Sequence, residues 1–424
     1  MHTKIPAFLL SLLFIFLVGN ACARASHTLH LKAGPPKPPI GKRWVLNPDF
    51  SDEFNGTVLD TSKWLDYHPS WIGREPGLFL PSQVSVKDGY LQIRGSKMEQ
   101  DTVIHAYGRD LTFNIAGGAV VSKKSAYLGY YECRFKAAAT SMSTTFWFSG
   151  AAQAGPRACD RYSLEWDIQE CIGRVGDFQG SHFASGMHSN AHYWYTDCEG
   201  ERHDYRATQI IFNDDELASE GFHVYGGWWR DETSASYYYD DRAPKHQKFY
   251  DAISEQPFDK PMYMRLVSET YPSPWIELPT DEELADTTRS VAYYDWVRGY
   301  QLVDALEPNP EVSLEPALKI YEESISFDTL SLSLKNASVL NIPLSYKANK
   351  ERVINLTLLD SQGSKVADAT FTAFAGYAYL SYELALNQDI ASATDYRLVA
   401  SLNSAEAGKA KRLDVSHLII HLHD

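Results

Sequence analysis

From Trp44 to Leu306 the chain is written in short runs of alternating bulky and polar residues, interrupted by Gly, Asp and Asn. Tyr90-Leu91-Gln92-Ile93-Arg94 and Tyr130-Tyr131-Glu132-Cys133-Arg134-Phe135 are representative. A period of two sends successive side chains to opposite faces, which suits a half-buried strand and not an amphipathic helix. Helical periodicity is scarce, and Asp281–Asp286 is expected to form no more than a short turn. The fold class predicted from this pattern is all-β, built as a large antiparallel sandwich.

One of these runs carries an unusual load. In Glu165-Trp166-Asp167-Ile168-Gln169-Glu170 three carboxylates sit inside an apolar segment that begins at Leu164. Glu165 and Asp167 alternate with Trp166 and Ile168, so both acids share one face of a strand. Strict alternation sends Glu170 to the other face. One extra residue between Asp167 and Glu170, a β-bulge, returns it to the side of the first two. Acids crowded on one wall repel one another, and this raises at least one pKa. One carboxyl can then stay protonated as a general acid while another serves, ionised, as a nucleophile. A lone Glu-x-Asp would be read as solvated charge on an edge strand; a third acid at bulge spacing favours a glycosidic site. Retaining glycosidases hold their two carboxyls roughly 5–5.5 Å apart. Four strand steps span about 13 Å of backbone, a gap that inward-leaning Glu side chains on a bent strand can narrow.

Length and composition set the frame. A chain of 424 residues holds one large domain and a smaller one. Residues 1–23 are predicted to be a signal peptide, with Lys4, an apolar run from Pro6 to Val18 and small residues around Ala21-Cys22-Ala23. The expected location is secreted or at the cell surface, in the bacterial outer membrane or outside it. Cys22 follows Asn20-Ala21, an imperfect lipoprotein cleavage site, so a lipid anchor at Cys22 is the alternative to simple secretion. Residues 24–43 are a Pro-rich linker expected to be an extended spacer. Residues 44–308 form the predicted catalytic domain. A composition break at Glu307-Pro308-Asn309-Pro310 separates it from residues 309–424, since all ten tryptophans and all five cysteines precede the break. The later part is expected to be a separate, smaller C-terminal β-sandwich of open role. The net charge of −15 argues against nucleic acid, and the chain is expected to act as a monomer. Cys133, Cys159, Cys171 and Cys198 allow three pairings and lack zinc-ligand spacing.

Aromatic planes bind the apolar faces of sugar rings. Trp147, in Thr145-Phe146-Trp147-Phe148, is the best stacking candidate, and Trp71 with Arg74 is loop-like and suited to specificity. Trp194, Trp228 and Trp229 are similar candidates, against a background in which most tryptophans are core. In Gly186-Met187-His188-Ser189-Asn190-Ala191-His192 the two histidines have zinc-like spacing only on a helix, which Gly186, Ser189 and Asn190 disfavour. His188, Asn190 and His192 are therefore expected to contact sugar hydroxyls, and no metal site is predicted. Arg161 and Arg174 bracket the acidic strand and are expected to steady its carboxylates, to contact an anionic group or to lie in solvent.

Glu165-x-Asp167-x-x-Glu170 resembles the bulged signature of glycoside hydrolase family 16, shared by agarases, porphyranases, carrageenases and laminarinases. Phe50-Ser51-Asp52-Glu53-Phe54-Asn55-Gly56, Phe222-His223-Val224-Tyr225 and Tyr294-Asp295-Trp296-Val297-Arg298 resemble the family's other segments, in family order. The resemblance covers about Trp44–Leu306, and within it only the acid motif is highly specific. It implies a concanavalin-like β-jelly-roll with a concave cleft and double displacement, with Glu165 as nucleophile, Glu170 as acid/base and Asp167 steadying the pair. It implies no required cofactor, and it allows a structural calcium ion on the convex face that no motif here specifies. Gln169 and Glu170-Cys171-Ile172-Gly173 resemble the red-algal galactan branch. The expected substrate is agar or porphyran, cut at internal β-1,4-galactosidic bonds. Carrageenan-type galactans and β-1,3-glucans such as laminarin are the enzymatic alternatives, and a non-catalytic sugar-binding protein is the alternative outside enzymes.

Overall fold

A computed structural model describes residues 33–308, 320–328, 333–336, 339–386, 395–404 and 411–421. The predicted signal peptide, Cys22 and the start of the linker lie outside these residues. Two sheets face each other across a core of alternating inward side chains, including Ile93, Phe135, Phe146, Phe148, Trp166 and Tyr294. One sheet runs in the order Arg202–Arg206, Ser185–Thr196, Arg161–Ile172, Ser143–Ser149, Met262–Ser268, Arg109–Ala126 and Trp64–Leu65. Its centre is the strand that holds the acidic segment. The backing sheet runs Lys245–Lys248, Ser234–Tyr239, His223–Asp231, Gly129–Lys136, Val291–Asp304 and Lys42–Asp52. The single α-helix among the described residues is Asp281–Ala285, capped by Thr280 and Glu283.

The predicted alternation holds through the acid strand. Trp166 and Ile168 are fully buried in the core, and the Trp166 indole donates to the Tyr237 hydroxyl at 2.9 Å. The sheets meet closely here because Gly227 lies opposite: a Cβ on it would stand 2.7 Å from the Trp166 ring. Cys159 and Cys198 form a disulfide that joins the entry of the acid strand to the chain just beyond the Ser185–Thr196 strand. Cys133 and Cys171 are buried free thiols.

The later part of the chain is a small sandwich with its own core of Ile342, Leu344, Ile354, Leu356, Leu398 and Leu402. It is not separate in its hydrogen bonding. The Gly376–Ala385 strand pairs with the start of the Lys42–Asp52 strand, Lys42 opposite Tyr379 and Trp44 opposite Tyr377. The backing sheet thereby continues into the C-terminal module through Gly376–Ala385, Val339–Ala348 and Ser324–Phe327. A second sheet of Lys365–Ala373, Arg352–Leu359, Asp395–Ser404 and Arg412–His421 closes the module. Gly376 has a φ of +133°, and a Cβ there would come within 2.2 Å of the Trp44 carbonyl oxygen, so the junction requires glycine. Arg43 is fully buried at this seam, donating to the carbonyls of Ala375 and Glu307. The described end of the Pro-rich segment lies against the backing sheet and not free of it. Gly34 donates to Glu132 at 2.9 Å, Pro36 accepts from the Trp44 indole at 2.8 Å, and Lys37 meets Asp328 at 2.8 Å.

Candidate active site

Within the acid strand Glu165 lies opposite Ser149 and Asp167 opposite Trp147. The register then slips by one residue, so that Gln169 faces Phe146 and Glu170 faces Thr145. Ile168 is the extra residue of the bulge, and all three acids line one cleft of about 700 Å³. On the other flank, Glu165 pairs with His192 and Asp167 with Asn190. Past that point the Gln169 side chain takes over from the backbone ladder. Its amide donates to the Gly186 carbonyl at 2.9 Å, and its oxygen accepts from the His188 backbone N–H at 2.7 Å. Ser189 adds a bond from its hydroxyl to the Ile168 carbonyl at 2.7 Å. These contacts satisfy backbone groups that the bulge would otherwise leave without partners inside the core.

The three acids are unlike in their surroundings. Burial, together with the charge of Asp167, holds the Glu165 carboxyl above the ordinary range, while His192, Arg265 and the Trp194 indole oppose the shift. Asp167 is raised by burial and by the charge of Glu170. Burial also raises Glu170, against hydrogen bonds from Asn190 at 3.0 Å and from the Tyr271 hydroxyl at 3.2 Å. His192 supplies the positive charge in this group. Its Nδ1 lies 2.6 Å from Asp204 Oδ1, and its Nε2 lies 3.3 Å from Asp167 Oδ2. Burial works against the imidazolium, but the two carboxylates outweigh it and push its pKa up to about 11. Glu165, Asp167 and His192 also present ligand atoms within 4.8 Å of one another. Both ring nitrogens of His192 already face carboxylates, Nδ1 that of Asp204 and Nε2 that of Asp167.

The walls on either side are aromatic and cationic. Trp147 stands beside Asp167, with Trp71 edge-on to it at 6.3 Å and the His68 ring stacked on it at 6.4 Å. The Arg265 guanidinium lies 4.9 Å from the Trp147 ring and donates through Nε to His68 at 2.8 Å. It also donates to the carbonyls of Ser149 and Tyr263, both at 2.7 Å. Burial and the Arg265 charge push His68 down to about 3, so His68 is a neutral acceptor. Arg74 sits 5.5 Å from the Trp71 ring and 3.1 Å from Glu269, whose carboxyl burial pushes up to about 7. At the opposite end Trp194 stacks on His192 at 5.2 Å, and Arg202 covers Trp194 at 4.7 Å.

The cleft brings together Glu165, Asp167, Glu170, Trp71, Arg74 and Trp147. Asn190 and His192 lie behind them, holding Glu170 and Asp167 respectively. His188 stands apart from the cleft. It is 3% exposed, its ring stacks on Phe183 at 4.5 Å, and its Nε2 meets the Ser185 carbonyl at 3.0 Å. The expected sugar contact from His188 therefore has no geometry behind it, because the 3-10 turn Gln179–Ala184 just before the strand places Phe183 against its ring. Arg174 is engaged by Glu277 and Glu283, and Arg161 by the carbonyls of Ala158 and Asp160, so neither steadies the acids. His68, Asp204, Arg265, Glu269 and Tyr271 escaped the sequence reading. Arg265 left a trace, as a lone charge in the apolar run Met262-Tyr263-Met264-Arg265-Leu266-Val267.

The chain is similar to known proteins over most of its length. The family pattern described as the beta-porphyranase A–D GH16 domain matches residues 44–302, and that of the porphyranase-associated domain matches residues 325–415. Beta-porphyranase D of Zobellia galactanivorans is 61% identical over 392 residues, which is 92% of either chain. The crystal structure of a beta-porphyranase from the human gut bacterium Bacteroides plebeius superposes with a TM-score of 0.59 at 37% identity, over 63% of this chain and 95% of its own. That of porphyranase B from Zobellia galactanivorans gives a TM-score of 0.54 at 32% identity, over 64% of this chain and 99% of its own.

Proposed function

We propose, for a chain that belongs to the beta-porphyranase A–D group of glycoside hydrolase family 16 and is therefore a glycoside hydrolase, that it cleaves internal β-1,4-galactosidic bonds of red-algal galactans, porphyran foremost. The observation that carries the reading is the bulge that turns three unlike carboxyls of one strand onto one wall of the cleft. Glu165, facing the cationic side of the cleft, is the nucleophile that attacks the anomeric carbon. Glu170, between the neutral donors Asn190 and Tyr271, delivers a proton to the leaving sugar oxygen and then takes one from the incoming water. Asp167 and His192 balance charge between them. Two displacements at one carbon retain its configuration.

The substrate preference is supported by the cations that line the cleft, Arg74 and Arg202, with Arg265 buried behind Trp147, in a protein whose net charge of −15 gives a polyanion no long-range attraction. An anionic galactan would be held by these local groups, with its rings against Trp71 and Trp147. Export through residues 1–23 belongs to the same reading and is supported by the apolar run from Pro6 to Val18, with a lipid anchor at Cys22 as the alternative to simple secretion. Incubation with porphyran, agarose, carrageenans and laminarin, followed by product sizing, tests the proposal. Porphyran should be shortened fastest, with early release of mid-length products, and proton NMR should show the β anomer first. If none of the four polymers is shortened, the reading is wrong.

A further inference from the structure

We infer that Asp204, on the neighbouring strand and outside the acid signature, is a positioning residue that acts through His192: it fixes the imidazole so that its second N–H is aimed at Asp167. The inference rests on the double-displacement reading, in which Glu165 has to be anionic beside a second acid.

The geometry leaves the ring little choice. His192 is 7% exposed, and Trp194 lies parallel to one face at an interplanar angle of 7°. Asp204 Oδ1 takes the Nδ1 proton at 2.6 Å, which leaves Nε2 directed at Asp167 Oδ2. That oxygen is buried and has no hydrogen-bond partner, so the ring 3.3 Å away is its counter-charge. A neutral imidazole bonded to Asp204 would turn a lone pair toward Asp167 and repel it; a doubly protonated one attracts it. Asp204 itself stays ionised, since His192, Arg206 and Arg202 outweigh its burial. Arg206 approaches it to 3.6 Å. Facing His192 are Glu165 and Asp167 on the acid strand, with Asp204, Arg202 and Arg206 on the other side. Glu170 is the remaining acid close enough to feel its charge.

The consequence for the reaction is electrostatic. Imidazolium opposite Asp167 cancels the charge that would otherwise hold a proton on Glu165, and it lowers the proton affinity of all three acids. Asp204 therefore keeps the nucleophile ionised without touching it.

The Asp204→Asn variant tests this through two readouts. The first, ¹⁵N NMR of the His192 ring, needs no turnover. His192 should stay protonated past about pH 8 in the wild-type enzyme and should lose its proton below about pH 8 in Asp204→Asn. The second is the pH profile on porphyran. In the variant kcat should fall about tenfold or more at pH 8 and much less at pH 6, with KM within about twofold and with Asp204→Glu restoring most of the loss. Three results would overturn the inference: an unmoved His192 titration, a change in KM alone, or an equal loss of kcat at every pH accompanied by a lower melting temperature. If wild-type enzyme hydrolyses no galactan, the functional reading fails by itself and the NMR titration still decides the role of Asp204.

Discussion

At the scale of single residues, Glu165 and Glu170 are chemically identical and are set apart by what surrounds them. Glu170 accepts from an amide and a phenol, whereas Glu165 lies near the charges of His192 and Arg265. Replacing Glu165 with Gln should reduce turnover by several orders of magnitude while sugar binding survives, because no other group can form the covalent intermediate. The same variant should be more stable than the wild type at pH 8. Burial and the charge of Asp167 raise the pKa of Glu165 in the folded state above that of a free glutamate, so the native state binds the proton more tightly than the unfolded chain does. Stability from this group is full below pH 4.5 and is lost as the pH rises toward neutrality. Urea denaturation should show Glu165→Gln ahead by roughly 1–3 kcal/mol at pH 8, with the difference gone near pH 4. The acids, Trp71, Arg74 and Trp147 were legible in the sequence because local alternation or a loop signature marks them. Asp204, Arg265 and Glu269 were not, because Asp204 and Arg265 are placed by strand pairings, and Glu269 by the chain just past the Met262–Ser268 strand, that no local pattern encodes. His188 misled for a related reason: alternation gives its parity along the strand, but not the preceding turn Gln179–Ala184 that covers its ring with Phe183.

At the scale of elements, the bulge at Ile168 is the device that converts a strand into a site. Its presence was readable from the spacing of three acids alone, because without it Glu170 would point into the core. What holds it was not readable. Gln169 could as well have been a solvent-facing polar residue, yet it is fully buried and closes the gap in the ladder with both ends of its amide. Gln169→Leu leaves the Gly186 carbonyl and the His188 N–H without partners inside the protein. The expected cost is about 1–3 kcal/mol for each group left without a partner, measured by denaturant unfolding. A fall in kcat should accompany it as Glu170 loses its fixed position. Wild-type stability and turnover in this variant would show that the side chain does not hold the bulge.

At the scale of the whole molecule, the composition break near residue 308 marks where one core ends and another begins, and two cores are present. Composition says nothing about hydrogen bonds that run between cores, so the continuous sheet through Lys42–Trp44 was invisible to it. Truncation after Glu307 would open the edge of that strand, strip cover from Tyr300 and Trp44, and remove the Ala375 carbonyl from buried Arg43. The truncated enzyme should melt at a lower temperature and self-associate on size exclusion, as exposed hydrophobic edges do. The full chain should unfold in a single calorimetric transition. Two independent melting transitions, or a truncated form as stable and monodisperse as the parent, would contradict this coupling. The order of synthesis gives the shared strand a further significance. Lys42–Asp52 emerges from the ribosome early, but its partners on the two sides are Val291–Asp304 and Gly376–Ala385. It waits as an unpaired template until most of the polypeptide exists, and pairing across such long loops is slow. During that interval the exposed strand edge offers itself to other copies, so pairing between chains competes with folding.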